Sequence, residues 1–181
     1  MRNVLFLLFA CLLLASCGHH TAVRSVYYWQ TTLKLGTKER AFLKQHGVSK
    51  VYCRYFDVVP GDDGTPQPNA TLSFEGSFPK NVEVIPVVYI VNDCMAEPHE
   101  GLAEKIFNRI LQMNETNNVA QPKELQMNET NNVAQPKELQ IDCDWTGSTR
   151  LTFFAFMKEL RAMCHSHNMT LSATIRLHQL S

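Results

Sequence analysis

The feature that most restricts what this chain can fold into is a strict alternation of periods: short stretches with the two-residue repeat of a strand take turns with stretches of helical repeat. Residues 25–32 (Ser-Val-Tyr-Tyr-Trp-Gln-Thr-Thr) are aromatic and β-branched and read as a first strand. Thr37 then caps a helix through Ala41, Phe42 and Leu43, which Gly47 stops after His46. Residues 48–58 read as the second strand. A long loop over 61–79 follows, marked by Asp62-Asp63-Gly64 and prolines from Pro60 onward. Residues 82–91 form the third strand, and its run from Ile85 to Val91 suits burial on both faces. Pro86 within it needs a place without a ladder hydrogen bond. A helix over 99–113 carries Leu102, Ile106, Ile110 and Leu111 on one side, and the fourth strand is 138–145. Ser148 caps a third helix, 149–167, striped with Leu151, Phe154, Ala155, Met157 and Leu160, and the fifth strand is 170–177.

Strands that alternate with helices call for a parallel sheet and right-handed crossovers. An open doubly wound sheet and a (β/α)8 barrel both satisfy that rule. The turn after the first strand, Leu33-Lys34-Leu35-Gly36-Thr37, has a single glycine, so a nucleotide-binding sheet loses its best sign. The strand faces favour a barrel. On the fourth strand Leu139, Ile141, Cys143 and Trp145 oppose Gln140, Asp142 and Asp144. The second sets Val51, Cys53 and Tyr55 against Tyr52, Arg54 and Phe56, and the fifth sets Leu171, Ala173, Ile175 and Leu177 against Ser172, Thr174, Arg176 and His178. One polar face per buried parallel strand is what a barrel lumen needs. The fold expected is therefore α/β: a partial (β/α) TIM-like barrel of about five parallel strands. Five strands cannot close an eight-stranded barrel, so this reading also expects a truncated chain.

The first 17 residues are a separate matter. A basic start and an apolar run from Val4 to Ala15 are too short to span a bilayer of ~30 Å and have the layout of a secretory signal. Leu14-Ala15-Ser16-Cys17 resembles the lipobox of bacterial lipoproteins. That resemblance implies diacylation of Cys17, a tether over 18–24, and a mature domain held on a membrane, by default the outer membrane on its periplasmic side. Ordinary cleavage near the same place would leave a soluble secreted protein instead. His19-His20 in the tether lack further ligands and read as a solvated tail, and no metal or cofactor is expected.

Residues 111–124 are repeated letter for letter by 125–138. The unit is polar and ends in Pro-Lys-Glu, which reads as a duplication inside a connection and not as a solenoid. The runner-up reading lets copy one prolong the preceding helix until Pro122. Cys53, Cys94, Cys143 and Cys164 form no zinc-binding spacing. Cys53 and Cys143 lie in apolar runs and read as small buried residues; a disulfide remains unassigned. Sequons at Asn69, Asn114, Asn128 and Asn168 read as chance. With 17 Lys+Arg against 17 Asp+Glu the chain has no electrostatic footprint for nucleic acid, and 45% hydrophobic residues make it a globular composition.

Leu139-Gln-Ile-Asp-Cys-Asp-Trp-Thr146, a strand ending in Asp-x-Asp, resembles the fourth strand of glycoside-hydrolase-like barrels, including the chitinase-like group and related bacterial families. Ser148-Thr149-Arg150 opening a helix, and Leu171 to Arg176, extend the resemblance over 139–178. It implies a carbohydrate ligand and glycan processing, with Asp144 and Asp142 as the catalytic candidates. Chitinase-like enzymes carry an acid two positions after the second Asp; here Thr146 stands there. Arg54 and Arg176 are the cations expected to hold Asp142, and an Asp–Arg network filling a polar lumen fits the same residues. His178 is a candidate acid or base, and Arg54, Arg176 and His178 are also candidates for contacting the substrate. Tyr27, Trp29, Tyr52 and Phe56 read first as core; Trp29 and Tyr52 are also candidates for stacking a sugar ring. A lipid-anchored glycan-processing protein and a non-catalytic envelope lipoprotein binding a glycan or protein partner both follow.

The anchor has a direct test. Cys17→Ser is expected to move the protein from the membrane to the soluble fraction, and equal solubility of the unmodified protein would remove the lipobox reading.

Overall fold

The computed structural model describes residues 22–75, 79, 81–117 and 136–180. Cys17, the signal, His19-His20 and most of the second repeat copy lie outside them. Five parallel strands form the main sheet: β1 (Arg24–Tyr28), β3 (Val48–Pro60), β6 (Glu83–Ile90), β7 (Glu138–Cys143) and β8 (Thr170–Ala173). They lie side by side in chain order. A doubly wound sheet reverses its order partway, and this one does not. Helices α1 (Thr37–Gln45), α2 (Leu102–Asn117) and α3 (Arg150–Ser166) supply three of the four crossovers; the connection from β3 to β6 carries no helix among the described residues. The fold is therefore mixed α/β with a mostly parallel central sheet, and the described strands do not close a barrel.

One core lies between the helices and one face of the sheet. It joins Leu43 of α1, Ile106 and Ile110 of α2, and Phe153, Phe156 and Leu160 of α3 to Val51, Cys53, Val88, Leu139, Ile141 and Cys143 of the strands. Burying each large apolar side chain stabilises by about 1.5–3 kcal/mol. The Lys34–Glu75 ion pair, at 2.9 Å, is exposed and screened by water, so the core holds the layers together. Cys53, Cys94, Cys143 and Cys164 are all buried and unpaired as thiols.

The structure corrects several boundaries. The expected loop over 61–79 contains two strands. β4 (Pro66–Asn69) returns antiparallel to the end of β3, and Gly64, at φ +80°, makes the turn between them. Pro66 and Pro68 are tolerated there because β4 lies at an edge. β5 (Ser73–Glu75) pairs in parallel with β2 (Thr32–Lys34), which separates residues 32–34 from the first strand. Thr37 is the first helical residue, with Gly36 in the cap position; Thr149, not Ser148, precedes α3. β8 ends at Ala173, and a 3-10 turn occupies Leu177–Leu180.

A bulge in β3 has the largest effect. The register against β6 slips between Arg54 and Phe56, so strict alternation fails beyond Arg54. Tyr55 and Phe56 both face α2: the Tyr55 hydroxyl donates to Asn114 Oδ1 at 2.8 Å, and the Arg109 guanidinium lies 5.1 Å from the Phe56 ring centroid. Phe56 thus leaves the polar face to which alternation assigns it, and Asp57 takes its place beside Arg54.

The repeat is more than a connection at its two ends. The head of copy one continues α2 to Asn117, and its Asn114 is 2% exposed. The tail of copy two supplies Glu138, the first residue of β7. Because the copies are identical, deleting 125–138 lets Glu124 take the place of Glu138 and restores the same junction. That deletion is expected to leave the melting midpoint within a few degrees, since halving a loop changes closure entropy by about 0.6 kcal/mol. Loss of cooperative unfolding would show that the connection itself is packed.

Candidate functional site

Opposite the helices, the sheet presents a polar face. Register places its residues in rows: Tyr27, Tyr52 and Ile85; then Arg54, Val87, Gln140 and Ser172; then Asp57, Tyr89 and Asp142. β1 and β7 are separated by β3 and β6, so on a flat sheet they would lie about 14 Å apart. The Tyr27 hydroxyl nevertheless donates to Gln140 Oε1 at 2.8 Å. The sheet is therefore curled, concave on its polar face.

At the start of the strands, this concavity is held by Glu138. Its carboxylate accepts from Lys50 Nζ at 2.9 Å, the Tyr52 hydroxyl at 3.0 Å and the Ser172 hydroxyl at 2.8 Å. Burial alone would raise the Glu138 pKa; the bonds from Lys50, Ser172 and Tyr52 outweigh it and hold the group below its ordinary value. Burial, helped by the bond to Glu138, pushes the Tyr52 hydroxyl up to about 12. Burial works against the charge of Lys50, but Glu138 and Glu83 leave its pKa raised. The contact of Lys50 Nζ with Glu83 Oε2 is longer, at 3.8 Å. Tyr52 thus serves this lower network.

Toward the strand ends the chemistry changes. Arg54 pairs with both carboxylate oxygens of Asp57. Its guanidinium also lies 5.0 Å from the Tyr89 ring centroid and 5.9 Å from that of Trp29. Arg176 pairs with Asp144. Asp142 accepts from the Thr174 hydroxyl. The expectation that Arg54 or Arg176 holds Asp142 is therefore corrected: the β3 bulge gives Arg54 a carboxylate on its own strand, and Arg176, beyond the end of β8, pairs with Asp144. Tyr27 and Trp29, expected first as core, are 45% and 48% exposed and stack with centroids 5.4 Å apart and planes 9° from parallel.

Six sequence candidates, Trp29, Tyr52, Arg54, Asp142, Asp144 and Arg176, thus share the concave side, though Tyr52 belongs to its lower network. The His178 side chain lies outside the described residues. Sequence reasoning missed Asp57, Tyr89, Gln140 and Glu138. For Gln140 the signal was present in the alternation of β7; for Asp57 none was, because a bulge is invisible to periodicity. Among the described residues no group of His, Cys, Asp and Glu is arranged to hold a metal ion, and no helix is long and apolar enough to cross a membrane. Comparison with protein-family models, curated proteins and solved structures finds no match to this chain.

Removing the charge at the centre of the lower network tests its role. Glu138→Gln is expected to destabilise by about 2 kcal/mol near neutral pH, below the usual range for a buried pair because Lys50 is partly solvated. Since the Glu138 pKa is lowered on folding, its contribution is full above the ordinary value of 4.5 and is lost as pH falls through the folded value. Urea unfolding of the two proteins should therefore converge on acidification; a gap independent of pH would contradict the network.

Proposed function

We propose that this chain is a lipid-anchored envelope protein whose concave sheet face, the inner wall of part of a (β/α) barrel, binds glycan. Parallel strands in chain order, helices on one side and inward curl support the barrel reading. The observation that carries the ligand class is the half-exposed Tyr27–Trp29 stack beside charged, hydrogen-bonding side chains. An aromatic plane receives the C–H face of a sugar ring, while carboxylates and guanidinium groups take its hydroxyls. The lipobox-like Leu14 to Cys17 supports the anchor, since two acyl chains give stable attachment.

Glycan processing is the second reading, and the position of Asp144 favours it. Asp144 follows the last residue of β7, at the strand end where barrel enzymes place reacting groups. Its pairing with Arg176, which is half-exposed, positions the carboxylate without sealing it off.

Two substitutions separate these roles. Trp29→Ala is expected to weaken oligosaccharide binding about tenfold or more with little change in melting temperature, because the ring is half-exposed. Asp144→Asn is expected to abolish turnover while leaving that stacking in place. A broad oligosaccharide titration without binding to the unaltered protein would refute the glycan reading.

A further inference from the structure

Among the described side chains, the charges of the upper concavity do not balance. Two guanidinium groups, Arg54 and Arg176, face three carboxylates, Asp57, Asp142 and Asp144. Each guanidinium is committed: Arg54 to both oxygens of Asp57, Arg176 to Asp144. Asp142 is the carboxylate left without a cation among the described side chains. It is 9% exposed, and its bond is to a neutral hydroxyl, that of Thr174, on Oδ1. The lower network adds no compensation, since Lys50 stands against both Glu83 and Glu138.

Tyr89 lies between Asp57 and Asp142 in the row and senses the imbalance. Its hydroxyl pKa is raised, first by burial and then by Asp144 and Asp142, each of which acts on it more strongly than Arg176 or Arg54 does in the opposite sense. The floor of the concavity is thus electronegative and flanked by aromatic rings. A carboxylate this deep interacts with an opposite charge more strongly than one in open water.

Building on the glycan reading, we infer that the site selects a saccharide bearing a free primary amine, whose ammonium group is received by Asp142. Trp29 contacts Arg54, Arg54 contacts Tyr89, and Tyr89 neighbours Asp142 on the next strand, so an oligosaccharide can engage both Trp29 and Asp142. An acidic sugar would place like charge against the uncompensated carboxylate, and an N-acetylated one would offer no charge to it.

The test is calorimetric titration of the full chain with a glucosamine oligomer, its fully N-acetylated counterpart and a galacturonate oligomer of the same length. A mildly acidic buffer keeps the glucosamine amines protonated and the galacturonate carboxylates ionised. The glucosamine oligomer is expected to bind about tenfold more tightly than the N-acetylated one. Asp142→Asn should remove that preference; the amide oxygen can still accept from Thr174, so the fold should persist. Glu75→Gln, which alters an exposed carboxylate on β5, should keep the preference and so distinguish the site from general adsorption of a polycation. Equal affinities, or tighter binding of the galacturonate, would overturn the amine inference and leave the glycan reading standing. Retained preference in Asp142→Asn would overturn the role of Asp142. Binding of none of these, nor of a neutral glucan, would remove the glycan reading and this inference with it. The comparison of ligands on the unaltered protein decides the matter even if a variant misfolds.

Discussion

A carboxylate taken out of water must find cations or hydrogen-bond donors, or it will not stay ionised. Glu138 meets that demand at the first residue of β7 by drawing in Lys50 and Tyr52 from β3 and Ser172 from β8. Those partners come from strands on both sides of β7, so satisfying one charged group fixes the relative positions of several elements. The Tyr27–Gln140 bond extends the same logic to β1. Polar pairing across strands, and not only apolar packing beneath them, curls this sheet. The curl in turn creates the concavity above.

Strand order decides which face is free to do this. Five parallel strands in chain order, with helices packed into one core, leave the opposite face without a covering layer among the described residues. An antiparallel sheet can leave such a face to water. Here Gln140, Asp142 and Glu138 are all largely buried on that side, which is why each needs a partner. Their ion pairs and hydroxyl bonds form a graded set, from a closed network at the strand starts to the unbalanced charges at the strand ends.

The bulge in β3 is the local device that differentiates the two ends. By turning Phe56 to the helices and Asp57 to the polar side, it gives Arg54 a carboxylate on its own strand. Arg54 is then held between the Trp29 and Tyr89 rings and is no longer available to Asp142. A one-residue irregularity thus sets the charge balance of the whole upper concavity. The repeat shows the opposite case: its fourteen extra residues lie between two anchored ends, Asn114 held by Tyr55 and Glu138 held by Lys50.

Much of this was legible in the residues. Alternating periods located the five main strands and three helices, because burial on one face imposes a period of two on a strand and near 3.6 on a helix. The same rule placed Arg54, Asp142, Asp144 and Arg176 on one side of the sheet. What it left undecided were the pairings. Which carboxylate meets which guanidinium depends on register between strands far apart in the chain, and register depends on the bulge at Tyr55. The exposure of Tyr27 and Trp29 likewise followed from their place on the concave face, which no described helix covers, not from their aromatic character. The sequence by itself determined the elements and their faces, since these arise from local periodicity. The tertiary structure decided the charge pairs and the open aromatic platform, since these arise from distances between strands that no local pattern encodes.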